Sequence, residues 1–510
     1  MDINSLSYKT LKNVSYTIVS YGWGMIFAIF VTPVVVFKLG IDYYGVFIFV
    51  NTIAGLLGLI DFGVSTAVAK YIAEYYGSAD RDRLKQLLYS ANSLFLLIGL
   101  FGLIGFFIIA FVGRYFIPNT ILSTYDIFFI FISAGLIFFI NSINGIYSIT
   151  PTALQRFDIN TKIGVSQTFI SSLGILLIVV FGFKLKAIIF AQLVIAIVFT
   201  FIFRYHSQKL LDIVKLKLQW HPKEIIKCYK FGLLTSISNL GGQTLAYFDK
   251  LIIPIFMNPA SLSYYSLSDS VASKSTGLIS SITYILFPMV SNFKGSKDME
   301  NIKKLYIRSF GLATVLSAAI SLSIIFLAYK VMYFWLNEEV AINAYRILIV
   351  LAITYFFISL WIQLKNFLLG LGETKILAKF SIIIAIFNII LLFILLPKFG
   401  IMGAAISYLI SIIPVIYIFF IVEKNILKLE NRFMYYIKLY SKILITGFVF
   451  YFIINFLVDP LILNFPTLLV CGPLAVLIYL VLYRIFGFYE AEDLFAAKNF
   501  YFVLINKFKK

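Results

Sequence analysis

Between residues 239 and 277 the chain is apolar enough to cross a bilayer twice, yet it carries Asp249, Lys250, Asp269 and Lys274 there. An ionisable side chain at membrane depth costs roughly 2.5–3.5 kcal/mol on insertion scales, so its presence points to an ion pair, a cation site or a contact with a charged substrate. Helical spacing sorts the four. Lys250 lies seven residues before the end of one expected helix and Asp269 seven after the start of the next. At about 1.5 Å rise per residue both sit ~10 Å below the same membrane surface, where they could pair. That pairing leaves Lys274, near mid-membrane, as the cation able to meet a phosphate. Asp249 points about 100° away from Lys250, toward helix neighbours or a coupling cation.

The elements that position these residues follow from composition. Of 510 residues 61% are hydrophobic and 13% charged, against about 45–50% and about 25% in a soluble domain. The chain is an all-α polytopic membrane protein. Apolar runs of spanning length fall at residues 14–37, 43–68, 87–112, 125–150, 163–183, 186–203 and 229–257. A second set covers 262–290, 306–335, 343–369, 376–396, 400–422, 437–457 and 462–486. The expectation is therefore about fourteen transmembrane helices.

The net charge of +19 would suggest nucleic acid in a soluble protein; here it follows topology. With alternating loops, 33 of the 42 Lys and Arg fall on the side of the N-terminus, 7 on the other and 2, Lys250 and Lys274, within helices. The positive-inside rule then makes both termini cytoplasmic. No nucleic-acid partner is expected. Arg346, Lys365 and Gln363 on the tenth helix are assigned to the membrane interfaces.

The chain repeats itself. Pro33, Tyr43 and Tyr44 match Pro254, Tyr264 and Tyr265 at an offset of 221, and Leu154, Asp158 and Ser166 match Leu369, Glu373 and Ser381 at 215. Both offsets pair helices 1–6 with helices 7–12. Two parallel six-helix repeats give a bilobed transporter: an N-terminal lobe at 1–206, a basic linker at 207–228, a C-terminal lobe at 229–422, and two extra helices with a cytoplasmic tail at 423–510. At offset 221 the partners of Asp249, Lys250, Asp269 and Lys274 are Ala28, Ile29, Ile48 and Ile53. The charges belong to one half only, which favours a substrate or gating role.

Leu39-Gly40 and Tyr44-Gly45, then Asp61-Phe62-Gly63 with Ala67, Lys70 and Ala73 behind it, resemble the start of polysaccharide flippases. Lys230-Phe231-Gly232 leading to Tyr247-Phe248-Asp249-Lys250 resembles that family's seventh helix. The run from Leu369 to Lys375, then Asn388, Pro397 and Gly400 to Ala405 resemble its helix 10–12 region. The likeness covers roughly residues 10–420. It points to the O-antigen (Wzx-type) branch of the multidrug/oligosaccharidyl-lipid/polysaccharide exporter superfamily.

The resemblance implies a translocase in a bacterial cytoplasmic (inner) membrane. Its substrate would be a polyprenyl-pyrophosphate-linked oligosaccharide, an O-antigen or capsule/exopolysaccharide repeat unit, moved to the outer leaflet by alternating access. The partners implied are that substrate, the bilayer and polysaccharide polymerase machinery; no cofactor is implied. Helices 1, 2, 7 and 8 would line the cavity. Asn51, Gly55 and Gly58 share one face of helix 2, Asn239, Gln243, Tyr247 and Lys250 make a stripe on helix 7, and Ser266, Ser270, Ser273, Lys274 and Gly277 make one on helix 8. Small and hydroxyl residues in such stripes equally pack helices together. Asp61, at the cytoplasmic end of helix 2 near Lys70 and Glu74, reads as a gate contact or as an interfacial charge. Pro33 and Pro254, late in helices 1 and 7, permit bending or set a fixed kink.

A lipid II flippase and a cation-coupled multidrug exporter of the same superfamily are the alternatives; the latter usually stops at twelve helices. A membrane polymerase or ligase would need a large outer loop, and the outer loops here, near 113–124 and 337–342, are short. The sequence has neither a GxxxxGK phosphate loop nor an HExxH motif, and its two cysteines, Cys228 and Cys471, form no pattern. The chain is not expected to be an enzyme.

Overall fold

The computed structural model describes residue 22 and residues 24–115, 117, 121–211, 217–283, 286–429 and 432–488. Every regular element among them is helical. Among the described residues ten helices are long and apolar enough to cross a membrane, which makes the chain a multi-pass membrane protein. One of the ten stretches, Thr374–Ile426, has 53 residues, about 80 Å at 1.5 Å per residue and far more than one bilayer needs. It is broken at Gly400, whose φ of 58° no neighbouring residue type would adopt cheaply. Reaching the expected fourteen would add its second half, a shorter apolar helix at Gly24–Leu39, the charge-bearing helix Pro222–Phe256 and the stretch from Pro259 to Gly295.

Contacts divide the chain into two compact units, Met1–Ser263 and Tyr264–Lys510. The first contains α1 (Gly24–Leu39), α2 (Ile41–Leu57), α3 (Val64–Gly77), α4 (Arg81–Val112), α5 (Thr124–Ala153), α6 (Phe157–Val180), α7 (Leu185–Leu211) and α8 (Pro222–Phe256). Its core gathers around α3, where Val64, Ala67, Val68, Tyr71, Ile72 and Tyr75 all face inward against α4, α5 and α8. That spacing is the 3–4-residue stripe of a helix buried on one side.

The boundary between units falls within α9 (Pro259–Ala272). The second unit continues with α10 (Lys274–Thr283), α11 (Leu286–Gly295), α12 (Met299–Phe326), α13 (Ala328–Trp335), α14 (Glu338–Leu371), α15 (Thr374–Ser411), α16 (Pro414–Ile421), α17 (Phe433–Ile453) and α18 (Phe465–Ile485). α14 is its central post, with α10 to α13 and α15 packed around it. Gln363 on α14, expected at an interface, is fully buried and donates to Ser309 Oγ on α12 at 2.9 Å. A buried amide keeps a partner because hydrocarbon offers none. Arg346, by contrast, is exposed and lies against Tyr345.

Two expected spans are interrupted. Residues 43–68 were expected to form one helix. α2 instead passes into a tight turn at Gly58–Asp61 and is broken at left-handed Phe62 (φ 43°) and Gly63 (φ 73°) before α3 begins. Residues 262–290 were likewise expected as one helix; a turn at Ser273 separates α9 from α10.

Candidate functional site

In the first unit α8 presents its residues to α2 and α3 through two close approaches. A Cβ at Gly232 would lie 2.7 Å from the Phe62 carbonyl oxygen, so only glycine lets α8 pass the turn between α2 and α3. A Cβ at Gly55 would lie 2.4 Å from the Tyr247 ring. The small residue on helix 2 and the aromatic on helix 7, each assigned to a polar stripe, thus meet as knob and hole. Asn51 is exposed, and its amide donates to the Phe47 carbonyl at 2.8 Å, one turn back on its own helix. Gly58 opens the turn.

Asp61 has a local role. Both carboxylate oxygens accept from the Ser65 N–H at 3.2 Å, which caps the first turn of α3 and places a negative charge at its positive end. A carboxylate four residues before a serine, with the turn-forming Phe62-Gly63 between them, is the signal that could have revealed this.

Asp249 on α8 is buried at 1% exposure, and Lys250 beside it is half-buried. Pro254 stands two residues from the end of the same helix, and Pro33 lies inside α1. The side chains of Asn239 and Gln243 lie outside the described residues.

At the start of α8 a cluster has formed that sequence reasoning missed. Lys227 donates to Tyr75 Oη at 2.9 Å, and Tyr75 donates to Glu224 Oε2 at 2.8 Å. The Lys227 ammonium lies 4.2 Å from the Tyr71 ring centre and 3.7 Å from Glu74. Lys70 covers the Phe231 ring at 4.2 Å. The bond to Tyr75 holds the Lys227 pKa above the usual lysine range. The cluster's signal in the sequence is the pair of helical repeats Lys70-Tyr71-Glu74-Tyr75 and Glu224-Lys227-Phe231.

In the second unit Asp269 is buried and accepts from Tyr355 Oη on α14 at 2.6 Å. The Tyr355 ring in turn packs edge-on against Tyr408 at 6.0 Å. A hydrogen bond to a carboxylate is charge-assisted, and at 2.6 Å it fixes the side chain firmly. The serines near it turn inward on their own helix. Ser270 donates to the Leu267 carbonyl at 2.8 Å, Ser273 to Ser270 at 3.4 Å and Ser275 to Ala272 at 2.8 Å. Ser268 reaches α14, donating to the Ala344 carbonyl at 3.0 Å. Serine hydroxyls that bond carbonyls of the preceding turn bend helices, and the run of serines at 266–275 explains the interruption.

Lys274 is the first residue of α10, directly after that interruption, and is half-buried. The arrangement offers a partly accessible cation at a helix break, with a firmly held carboxylate one to two turns earlier. Among the described residues no three His, Cys, Asp or Glu gather as metal ligands.

Residues 42–340 match the family model of polysaccharide biosynthesis proteins. The chain is 26% identical to a putative O-antigen transporter of Shigella flexneri over 79% of its own length and 95% of that protein's. It is 24% identical to a probable low-salt glycan biosynthesis flippase, Agl15, of Haloferax volcanii, over 36% of this chain and 39% of that one. The fold is similar to that of the lipid II flippase MurJ in an inward closed conformation, with a TM-score of 0.72 at 17% identity, covering 93% of this chain and 98% of that one. These similarities support the resemblance seen in the motifs and set the chain among transporters rather than enzymes. With more than half its length matched, the chain belongs to the family of polysaccharide biosynthesis proteins.

Proposed function

We propose that the protein is a flippase for a polyprenyl-pyrophosphate-linked oligosaccharide, an O-antigen or capsule/exopolysaccharide repeat unit. It works by alternating access in a bacterial cytoplasmic membrane, with both termini in the cytoplasm and polysaccharide polymerase machinery as the consumer of its product. The match of residues 42–340 to polysaccharide biosynthesis proteins carries this reading. The chain's own chemistry is compatible with it. A pyrophosphate–sugar head group needs a polar surface and a cation, while the polyprenyl tail stays in the bilayer.

In this reading Lys274 meets the pyrophosphate and Asp269, held by Tyr355, sets the field around it. Asp249, Lys250, Asn239, Gln243 and Asn51 supply further polar contacts. Asp61, Pro33 and Pro254 serve the change of conformation. Lobes at 1–206 and 229–422, joined by the basic linker 207–228 and followed by two extra helices within 423–510, are the moving parts.

The test is deletion with complementation. Loss of the gene should leave lipid-linked repeat units at the cytoplasmic face, and the wild-type gene should restore their export. If no such units accumulate, the reading fails. Accumulation of lipid II in their place would transfer it to the peptidoglycan precursor.

A further inference from the structure

In the second unit a cavity of about 910 Å³ lies between α12, α14, α16 and α17, as large as the pockets that enclose small ligands. Its walls are apolar, with Phe310, Leu360 and Phe419 among them. Its mouth is polar. Glu423 sits in the π turn Val422–Ile426 that follows α16, and Arg432 is the N-cap of α17. Both line the cavity together with Tyr436. Along α17 the lining runs from Arg432 to Tyr440. That is about 12 Å at 1.5 Å per residue, close to half of the ~30 Å hydrocarbon core. The mouth belongs to the basic segment 424–442, which the alternating loop charges put at a membrane surface. The cavity therefore has the shape of an amphiphile, its head at the surface and one chain reaching the bilayer midplane.

The mouth defines the head group. Tyr436 donates to the Glu423 carboxylate, and Arg432 Nε lies 3.8 Å from the same oxygen, beyond hydrogen-bond length. The Arg432 charge thus has its partner, while its buried Nε and Nη2 have no hydrogen-bond partner among the described residues. A carboxylate offers about four acceptor positions, and the bond from Tyr436 takes one. Donors and acceptors therefore stand side by side, the donors suited to a phosphate and the acceptors to an ammonium. A head group carrying phosphate alone would be repelled by Glu423. The adjoining cavity of about 690 Å³ shares Phe357 and Tyr440 but has no charged residue among its described lining. It offers nothing to tell head groups apart.

We propose that this cavity holds an aminophospholipid of the surrounding leaflet, its acyl chain between α14, α16 and α17, its phosphate on Arg432 and its ammonium on Glu423. The site does not depend on which substrate is moved. Native mass spectrometry of the purified full chain tests it, with short-chain phosphatidylethanolamine as probe and phosphatidylcholine and phosphatidylglycerol as controls. The first control carries a cation without N–H donors, the second no cation. Wild type should retain phosphatidylethanolamine about tenfold over either, the fold-change of one charge-assisted hydrogen bond. Glu423→Gln keeps an acceptor for Tyr436 and should bring phosphatidylethanolamine down to the level of phosphatidylcholine. Ile416→Trp, at an exposed position in the cavity wall, should fill the cavity and lower retention of all three lipids.

Equal retention of the three lipids by wild type, or an undiminished preference in Glu423→Gln, would overturn the proposal. Displacement of phosphatidylethanolamine by an equimolar polyprenyl phosphate would also overturn it, because the cavity would then serve the carried lipid. Should Glu423→Gln fail to elute as a monodisperse species, Ile416→Trp takes its place, with unchanged retention again fatal.

Discussion

The two interrupted stretches of this molecule are built differently. Between α2 and α3 the chain turns on left-handed Phe62 and Gly63, is closed over by Gly232, and has its one charge, Asp61, spent on capping Ser65. Between α9 and α10 no residue has positive φ; the chain bends on serines that bond to their own carbonyls, and two charges flank the bend. Under the 221-residue offset Ser273 corresponds to Thr52, which lies inside the unbroken α2. The backbone asymmetry and the charge asymmetry therefore coincide. Where one repeat has Ile48 and Ile53 in a continuous helix, the other has Asp269 and Lys274 around a break. A scaffold requirement would act on both repeats alike, so the difference argues for a functional role at the second break.

The sharpest way to break this comparison is Lys274→Ala. Transport of lipid-linked repeat units in complemented cells should fall to the background of the deletion strain, with the protein level in the membrane unchanged. Lys274→Arg should keep a measurable fraction. Wild-type export by the alanine variant would remove the reason for separating the two breaks.

Next in size is Gly232→Val, aimed at the first break. Its Cβ would stand 2.7 Å from a backbone oxygen that cannot move aside, and overpacking of this kind costs about 1–3 kcal/mol. Thermal unfolding in detergent should shift down by several degrees, with transport lost only in proportion to folded protein. A variant as stable as wild type would show that α8 does not rest on this turn.

Tyr355→Phe should have an intermediate effect at the second break. It removes a 2.6 Å hydrogen bond to a buried carboxylate, worth roughly 0.6–2 kcal/mol inside a membrane protein. If Asp269 positions the substrate field, transport should drop several-fold while thermal stability changes little. The reverse pattern, a stability loss with normal transport per folded molecule, would make Asp269 a packing residue.

Much of this arrangement was legible in the residue pattern, and its limits have physical causes. Apolar run length carries the membrane class, because hydrocarbon imposes it on every span. The unusual status of Asp249 and Asp269 was legible from charge in an apolar context, and both are buried. The breaks were not, since neither Gly63 nor Ser273 is a helix-stopping proline, and each lies inside a longer stretch that alternates apolar and small residues. Tyr355 and the Tyr75–Glu224–Lys227 cluster were missed because their partners lie 86, 149 and 152 residues away. No local period reports such contacts. The Gln363 contact escaped notice for the same reason: its partner Ser309 is on another helix, 54 residues distant.

The smallest expected effect belongs to Asp61→Asn, and it decides what the first break does. Asparagine caps a helix as well as aspartate does, so the Ser65 N–H keeps its acceptor and only the charge is lost. If capping is all that Asp61 does, unfolding temperature and transport should both stay within error of wild type, whereas Asp61→Ala should cost about 1 kcal/mol of stability. Should Asp61→Asn fold normally yet abolish transport, the charge itself would be needed. The two breaks would then be alike in function after all, a structural cap in one state and a gate contact in another. Measuring both variants in the same membranes separates these outcomes, because only the gating role distinguishes a neutral cap from a charged one.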